Sequence, residues 1–298
     1  MSPLVFSEVS QGGANVPIAE IDSLDNVQFI PGFGASRYRY SYQNGFFLDA
    51  FFANKGGDTL IVQFHGAVDR TRTVLPRFER LATLLETEYS SVVFADPTLW
   101  IDETIQLGWY TGAPGQHVQQ DIASIVISVA RQFSFNNIIC IGASGGGFAA
   151  LQVAALIPGS ISVPINPQTS IPNYFVDGDR SLIGPQRYWA KKVRASELPP
   201  NQSEDFFKGD WTADMPLECS VLRRYESPVD NKVLFVANVN DFHFEDHWLP
   251  FLGACARGGN LCNIKVLEYS GPKGHVAPTT EVYLHSITQA LKICQSSA

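Results

Sequence analysis

The run Ile138-Ile139-Cys140-Ile141-Gly142-Ala143-Ser144-Gly145-Gly146 constrains this chain more than any other stretch. Its first half is apolar enough to be a buried strand, with Cys140 as plain core, and its second half reads G-x-S-x-G. A strand that turns abruptly into a helix forces the residue at the bend into a strained conformation and exposes its side chain at the sheet edge. Small neighbours are needed because the backbones pass very close. The helix expected from about Phe148 leaves N–H groups open at its start, so the Gly145 amide is placed to hold negative charge beside Ser144 Oγ.

A rival pattern overlaps this one. Gly145-Gly146-Gly147-Phe148-Ala149-Ala150 satisfies G-x-G-x-x-A, the dinucleotide fingerprint, after a strand. That fingerprint needs an acidic residue about 20 positions on, at the end of the next strand. Here that strand ends at Val163-Pro164-Ile165-Asn166, without a carboxylate. A nucleophilic serine is the better reading, with cofactor binding and a purely structural turn as the lesser ones.

The rest of the chain alternates short β-rich runs with helical patterns, which argues for an α/β fold with a mostly parallel sheet covered by helices. Arg37 to Gln43 and Phe46 to Ala53 flank Asn44-Gly45, a hairpin signal that predicts an antiparallel start to the sheet. Further strands are expected at Thr59–Phe64, Ser91–Ala95, Asn137–Ile141, Ile161–Ile165, Lys232–Val236 and Asn263–Tyr269. Helices are expected at Leu75–Glu88, Gln116–Phe133 and Thr280–Cys294. The interval from Asn166 to Asp230 breaks this rhythm with scattered aromatics, Pro-rich joints and no clean strand. Loops that long are usually functional, so residues 166–230 are read as a cap over the C-terminal edge of the sheet. Residues 1–30 are then an N-terminal extension, and 31–165 with 231–298 the core.

Composition removes several function classes. The 298 residues are 45% hydrophobic, enough to bury a core, which excludes disorder. A net charge of −8 without a basic run argues against nucleic acid or an anionic membrane as principal partner. The best apolar stretch, Phe148 to Ile157, stops at Pro158-Gly159, too short to span a bilayer. Met1-Ser2-Pro3 lacks the start of a secretory signal, and five cysteines without close pairing suggest reduced thiols, so a cytoplasmic location is expected.

A serine at neutral pH needs a base, and the base needs an orienting group. Downstream strands should therefore carry an acid and then a histidine just past their ends. Lys232–Val236 leads to Asp241, and Asn263–Tyr269 leads through Gly274 to His275. A second oxyanion donor should come from His65-Gly66-Ala67, after Thr59–Phe64. The Ala67 amide is the choice and Gly66 the fallback.

The Gly142-Ala143-Ser144-Gly145-Gly146 bend, His65-Gly66-Ala67, Asp241 and Gly274-His275 together resemble the α/β-hydrolase superfamily. The similarity covers the chain apart from its first thirty residues and the cap. It implies an eight-stranded sheet, a Ser144–Asp241–His275 triad and a cap inserted after the sixth strand. Gly147 departs from the pattern only by extending the glycine run.

Other candidates compete near the acid. Asp241-Phe242-His243-Phe244-Glu245-Asp246-His247-Trp248 is dense in possible metal ligands. Its members share one local segment, so it is read as a loop beside the site, with Phe242, Phe244 and Trp248 against the cap. Asp246 is the alternative acid. His117 is read as a surface or capping residue, His285 as half-buried scaffold, and Trp109-Tyr110 as either pocket lining or packing.

The expected chemistry is cleavage of a small-molecule or glycan-linked ester through an acyl-enzyme, with no cofactor or metal. Transfer of the acyl group to a sugar or other alcohol is the first alternative, and a non-catalytic binding protein the second. The number of subunits is not readable.

Overall fold

A computed structural model describes residues 1–175 and 184–295. In chain order its strands are β1 (Ile18–Ile21), β2 (Gly34–Ser41), β3 (Phe47–Asn54), β4 (Thr59–Phe64), β5 (Ser90–Phe94), β6 (Asn137–Ala143), β7 (Ile161–Ile165), β8 (Lys232–Asn238) and β9 (Ile264–Tyr269). They form one sheet in the order β1-β2-β3-β5-β4-β6-β7-β8-β9. Only β3 runs against the others, since it is antiparallel to both neighbours while every other pairing is parallel. Asn44-Gly45 makes the expected hairpin, with Gly45 at φ 84° and Ser41 opposite Phe47.

Nine strands replace the eight implied by the resemblance. The extra one is β1, from within residues 1–30, which pairs with β2 from Ile18 opposite Arg37 to Ile21 opposite Tyr40.

The helices are α1 (Leu81–Glu86), α2 (Val118–Phe133), α3 (Gly145–Ala154), α4 (Pro185–Val193), α5 (Val221–Tyr225), α6 (Leu249–Arg257) and α7 (Thr280–Gln295). Strand alternation divides the core between two faces. Leu60, Val62, Phe64 and Cys140 pack with α2 and α3, whereas Ile61, Ile139 and Ile141 pack with α1 and α7. All of α3 is buried, because the sheet, α2 and α5 enclose it.

The helix expected over 75–88 is confined to α1. Arg80 stands in the left-handed region at φ 61° and its guanidinium reaches Pro278 O and Thr280 Oγ1, so the helix cannot begin earlier. The helix after the glycine run starts at Gly145, three residues before Phe148. His285 is exposed on α7 instead of half-buried.

Of the interval 166–230, residues 176–183 lie outside the described ones. The described remainder holds α4, α5 and several short 3₁₀ turns, and an isolated antiparallel bridge joins Ser170 to Ser220. Ile171, Trp189, Phe207, Trp211 and Tyr225 bury themselves with Phe148 of α3, Phe235 of β8 and Phe251 of α6. Among the described residues no helix is long and apolar enough to cross a membrane.

Candidate active site

Ser144 occupies the bend between β6 and α3 at φ 56°, ψ −122°, a region that L-residues avoid. Its neighbours hold it there. A Cβ on Gly142 would stand 2.4 Å from the Gly146 backbone, and one on Gly146 would stand 2.6 Å from Phe64 O. The strained residue is pinned by its own amide, which donates to Ile165 O at 3.0 Å.

The structure brings the three sequence-derived residues into one hydrogen-bonded line. His275 Nε2 lies 2.8 Å from Ser144 Oγ, and His275 Nδ1 lies 2.8 Å from Asp241 Oδ2. A carboxylate only accepts, so Nδ1 carries the proton and Nε2 is left to accept from the serine hydroxyl. Burial opposes the charge of Asp241, but hydrogen bonds from His243 and His275 outweigh it and hold the carboxyl below its ordinary range. Asp246, the alternative acid, lies one π-helical turn further on (Phe244–Trp248), and the contact to His275 is made by Asp241.

The loops carrying acid and base are laced together. Asn238 accepts from Gly271 N–H and donates to Pro272 O, Asn240 donates to Gly271 O, and Gly274 N–H donates to Asn240 O at 3.0 Å. These asparagines were not singled out from the sequence, where they read as ordinary turn residues.

His65-Gly66-Ala67 packs directly on the bend, with the Gly66 Cβ direction 3.5 Å from Ser144 Cβ. The His65 ring donates from Nδ1 to Gly66 O at 2.8 Å and accepts the Asp96 N–H at Nε2. The Gly66 N–H faces the Glu79 carboxyl, which burial pushes upward. Across a trans peptide the Ala67 N–H points opposite to the Gly66 carbonyl, and among the described residues it has no partner. Gly145, first residue of α3, likewise has no intrahelical partner for its N–H. Burial lowers His65 to about 4, which keeps it in the neutral form this clamp requires.

Two residues that the sequence does not mark for these roles complete the surroundings. His243, from the ligand-dense loop, donates Nδ1–H to Asp241 Oδ1 at 3.0 Å and stacks on His275 with ring centroids 3.7 Å apart. The signal available was its place two residues after the acid. Gln168, three residues past β7, puts Nε2 at 3.1 Å from Ser144 Oγ, and nothing in the sequence marks it. Asp241, His243 and His275 place possible ligand atoms within 4.8 Å of one another, and both Nδ1 atoms face the carboxylate that they bond.

Trp109 and Tyr110 are wholly buried packing residues, and Tyr110 OH bridges Phe94 O and the His65 N–H. His117 is a surface residue at the N-cap position of α2, without a side-chain cap bond, and its ring pairs with Glu218 at 3.0 Å. Trp248 packs on Phe235 and Phe251 over β8. A cavity of about 190 Å³ opens at Ser144 and is lined, among the described residues, by Ala67, Ile165, Tyr174, His275 and Val276.

The fold is that of the α/β-hydrolases. No protein-family profile matches the sequence, and no curated protein is similar to it by sequence. Among solved structures, the capsule O-acetyltransferase of Neisseria meningitidis serogroup A is 16% identical, with TM-score 0.56 over 86% of this chain and 96% of that one. Prolyl oligopeptidase B from Galerina marginata is 14% identical, with TM-score 0.54 over 87% of this chain and 37% of that one. The acylaminoacyl peptidase of Pyrococcus horikoshii is 18% identical, with TM-score 0.51 over 87% of this chain and 39% of that one.

Proposed function

We propose that this protein is a serine-dependent acyl-transfer enzyme that cleaves a carboxylic ester. The observation that carries this is the unbroken line from Ser144 Oγ through His275 to a buried, ionised Asp241. In this reading His275 takes the serine proton as Oγ attacks the ester carbonyl, and Asp241 orients the ring and stabilises the imidazolium. The amides of Gly145 and Ala67 hold the oxyanion, each lowering the barrier by ~3 kcal/mol. His275 then protonates the leaving alcohol, and water releases the acyl group.

The small cavity at Ser144 favours a short acyl group, being below the ~300–1,000 Å³ of sites for drug-sized ligands. One observation supports a second reading, in which an alcohol such as a sugar hydroxyl replaces water. The O-acetyltransferase is matched over nearly its whole length, unlike the peptidases. In either reading the described part of 166–230 acts as the cap, and Tyr174 is the aromatic side chain that it brings to the cavity for a small-molecule or glycan-linked substrate.

Intact-mass spectrometry after incubation with a fluorophosphonate tests the nucleophile. One adduct on the native chain and none on Ser144→Ala is expected. Adduct formation on both, or on neither while folded, removes the proposal. Product analysis with and without an acceptor alcohol then separates hydrolysis from transfer.

A further inference from the structure

Gln168 is fully buried and touches the oxygen that reacts. Its Oε1 lies 2.5 Å from Trp109 Nε1 and its Nε2 lies 3.1 Å from Ser144 Oγ. The orientation of this amide is fixed by chemistry. An indole N–H can only donate, so Oε1 must face Trp109 and the NH₂ group must face the serine. The backbone reinforces the placement, since Gln168 N–H donates to Ser144 O at 3.2 Å. A hydroxyl oxygen that accepts from Gln168 directs its own hydrogen to His275 Nε2, the base.

We infer that Gln168 is a catalytic residue whose N–H assists the departure of Ser144 from the acyl-enzyme. The inference rests on the acyl-enzyme reading above and assigns a donor to its second half. An ester oxygen is a poor acceptor, so the Gln168 contact is weak while Oγ is acylated. Deacylation begins when water, or an acceptor alcohol, adds to the acyl carbon and gives its proton to His275. The tetrahedral intermediate then collapses: the C–Oγ bond breaks, its electron pair goes to Oγ, and His275 returns the proton there. As charge grows on Oγ, the hydrogen bond from Gln168 strengthens, which lowers this barrier relative to the acyl-enzyme. In acylation the same bond is already present on the free hydroxyl, so little is gained.

Acylation and decay are therefore measured separately with p-nitrophenyl acetate, by stopped-flow release of nitrophenolate and by intact mass of quenched samples. Gln168→Met keeps the length and removes the donor, but leaves the Trp109 indole buried without an acceptor. The double variant Gln168→Met/Trp109→Phe removes both polar groups and restores a satisfied interior. Both variants should lose about 10-fold in the decay of the acyl-enzyme and less than about threefold in its formation. The acetylated chain should accumulate in the steady state. Decay at the native rate in the folded double variant, or equal losses in both steps, overturns the role of Gln168. A native protein that forms no acetyl adduct on Ser144 overturns the acyl-enzyme reading itself, and this inference with it.

Discussion

At the bend after β6, Ser144 is held by backbone packed on backbone, whereas at the ends of β8 and β9 Asp241 and His275 are held by side chains. The first arrangement leaves no room at all: a single added methyl at Gly142 or Gly146 falls within 2.6 Å of main-chain atoms. The second is a mesh of amide and imidazole hydrogen bonds through Asn238, Asn240 and His243. Steric fixation is all-or-none, while a hydrogen-bonded mesh yields by degrees as its members are removed. The same site therefore combines a brittle nucleophile with a tunable base.

The largest expected loss tests the mesh at its charged centre. Asp241→Asn should lower kcat by about 10⁴-fold with little change in melting temperature, because the amide no longer imposes the required tautomer on His275. Ester turnover against a circular dichroism melt reads both, and activity within tenfold of native would remove Asp241 from its role. Next comes the bend. Gly146→Ala should destabilise the fold by about 4 kcal/mol, since its Cβ meets Phe64 O and the His65 carbonyl. Urea unfolding measures this, and a cost under 1 kcal/mol would mean that the backbone yields easily there.

A smaller effect concerns pH. His65 is lowered to about 4 by burial, so between that value and its unfolded pKa of about 6.5 the unfolded chain binds the extra proton. Its contribution to stability is complete above about 6.5 and is lost as pH falls toward 4. Asp96, raised to about 6 by burial, has the opposite sign: its contribution is present at low pH and lost as pH rises toward 6. His65→Gln should therefore show a flatter, or inverted, rise of melting temperature between pH 4 and 6.5 than the native chain. Parallel profiles would show that His65 does not titrate with unfolding. The smallest effect is expected at Asp246→Asn, about twofold in kcat at most, because His275 bonds Asp241. A loss near that of Asp241→Asn would instead place Asp246 in the charge network.

What could be read from the chain follows the same division. The bend is written in contiguous residues, and the acid and base follow strands whose apolar runs are plain, so their order was legible. β1 was not: Ile18-Ala19-Glu20-Ile21 is four residues long, with little alternation, and is a strand because β2 offers it an edge. α1 was overextended because the apolar spacing of Phe78 and Leu81 continues through Arg80, whose left-handed backbone depends on contacts to Pro278 and Thr280. Gln168 could not be seen at all. Its meaning comes from Trp109 and Ser144, 59 and 24 positions away, and no local pattern encodes such a meeting. His243 was visible only as one more polar residue in a crowded loop.

The bridge between Ser170 and Ser220 closes the stretch between them at its base. Chain emerging from such a clasp and returning to it is a cassette, whose length has little bearing on the strands outside. The entropy of closing a loop grows only logarithmically, by about 0.6 kcal/mol per doubling. Provided that the aromatic residues over β8 are replaced in kind, one such cassette can be grafted for another. Ser144, Asp241 and His275 lie outside it, so such an exchange leaves their hydrogen-bonded line in place.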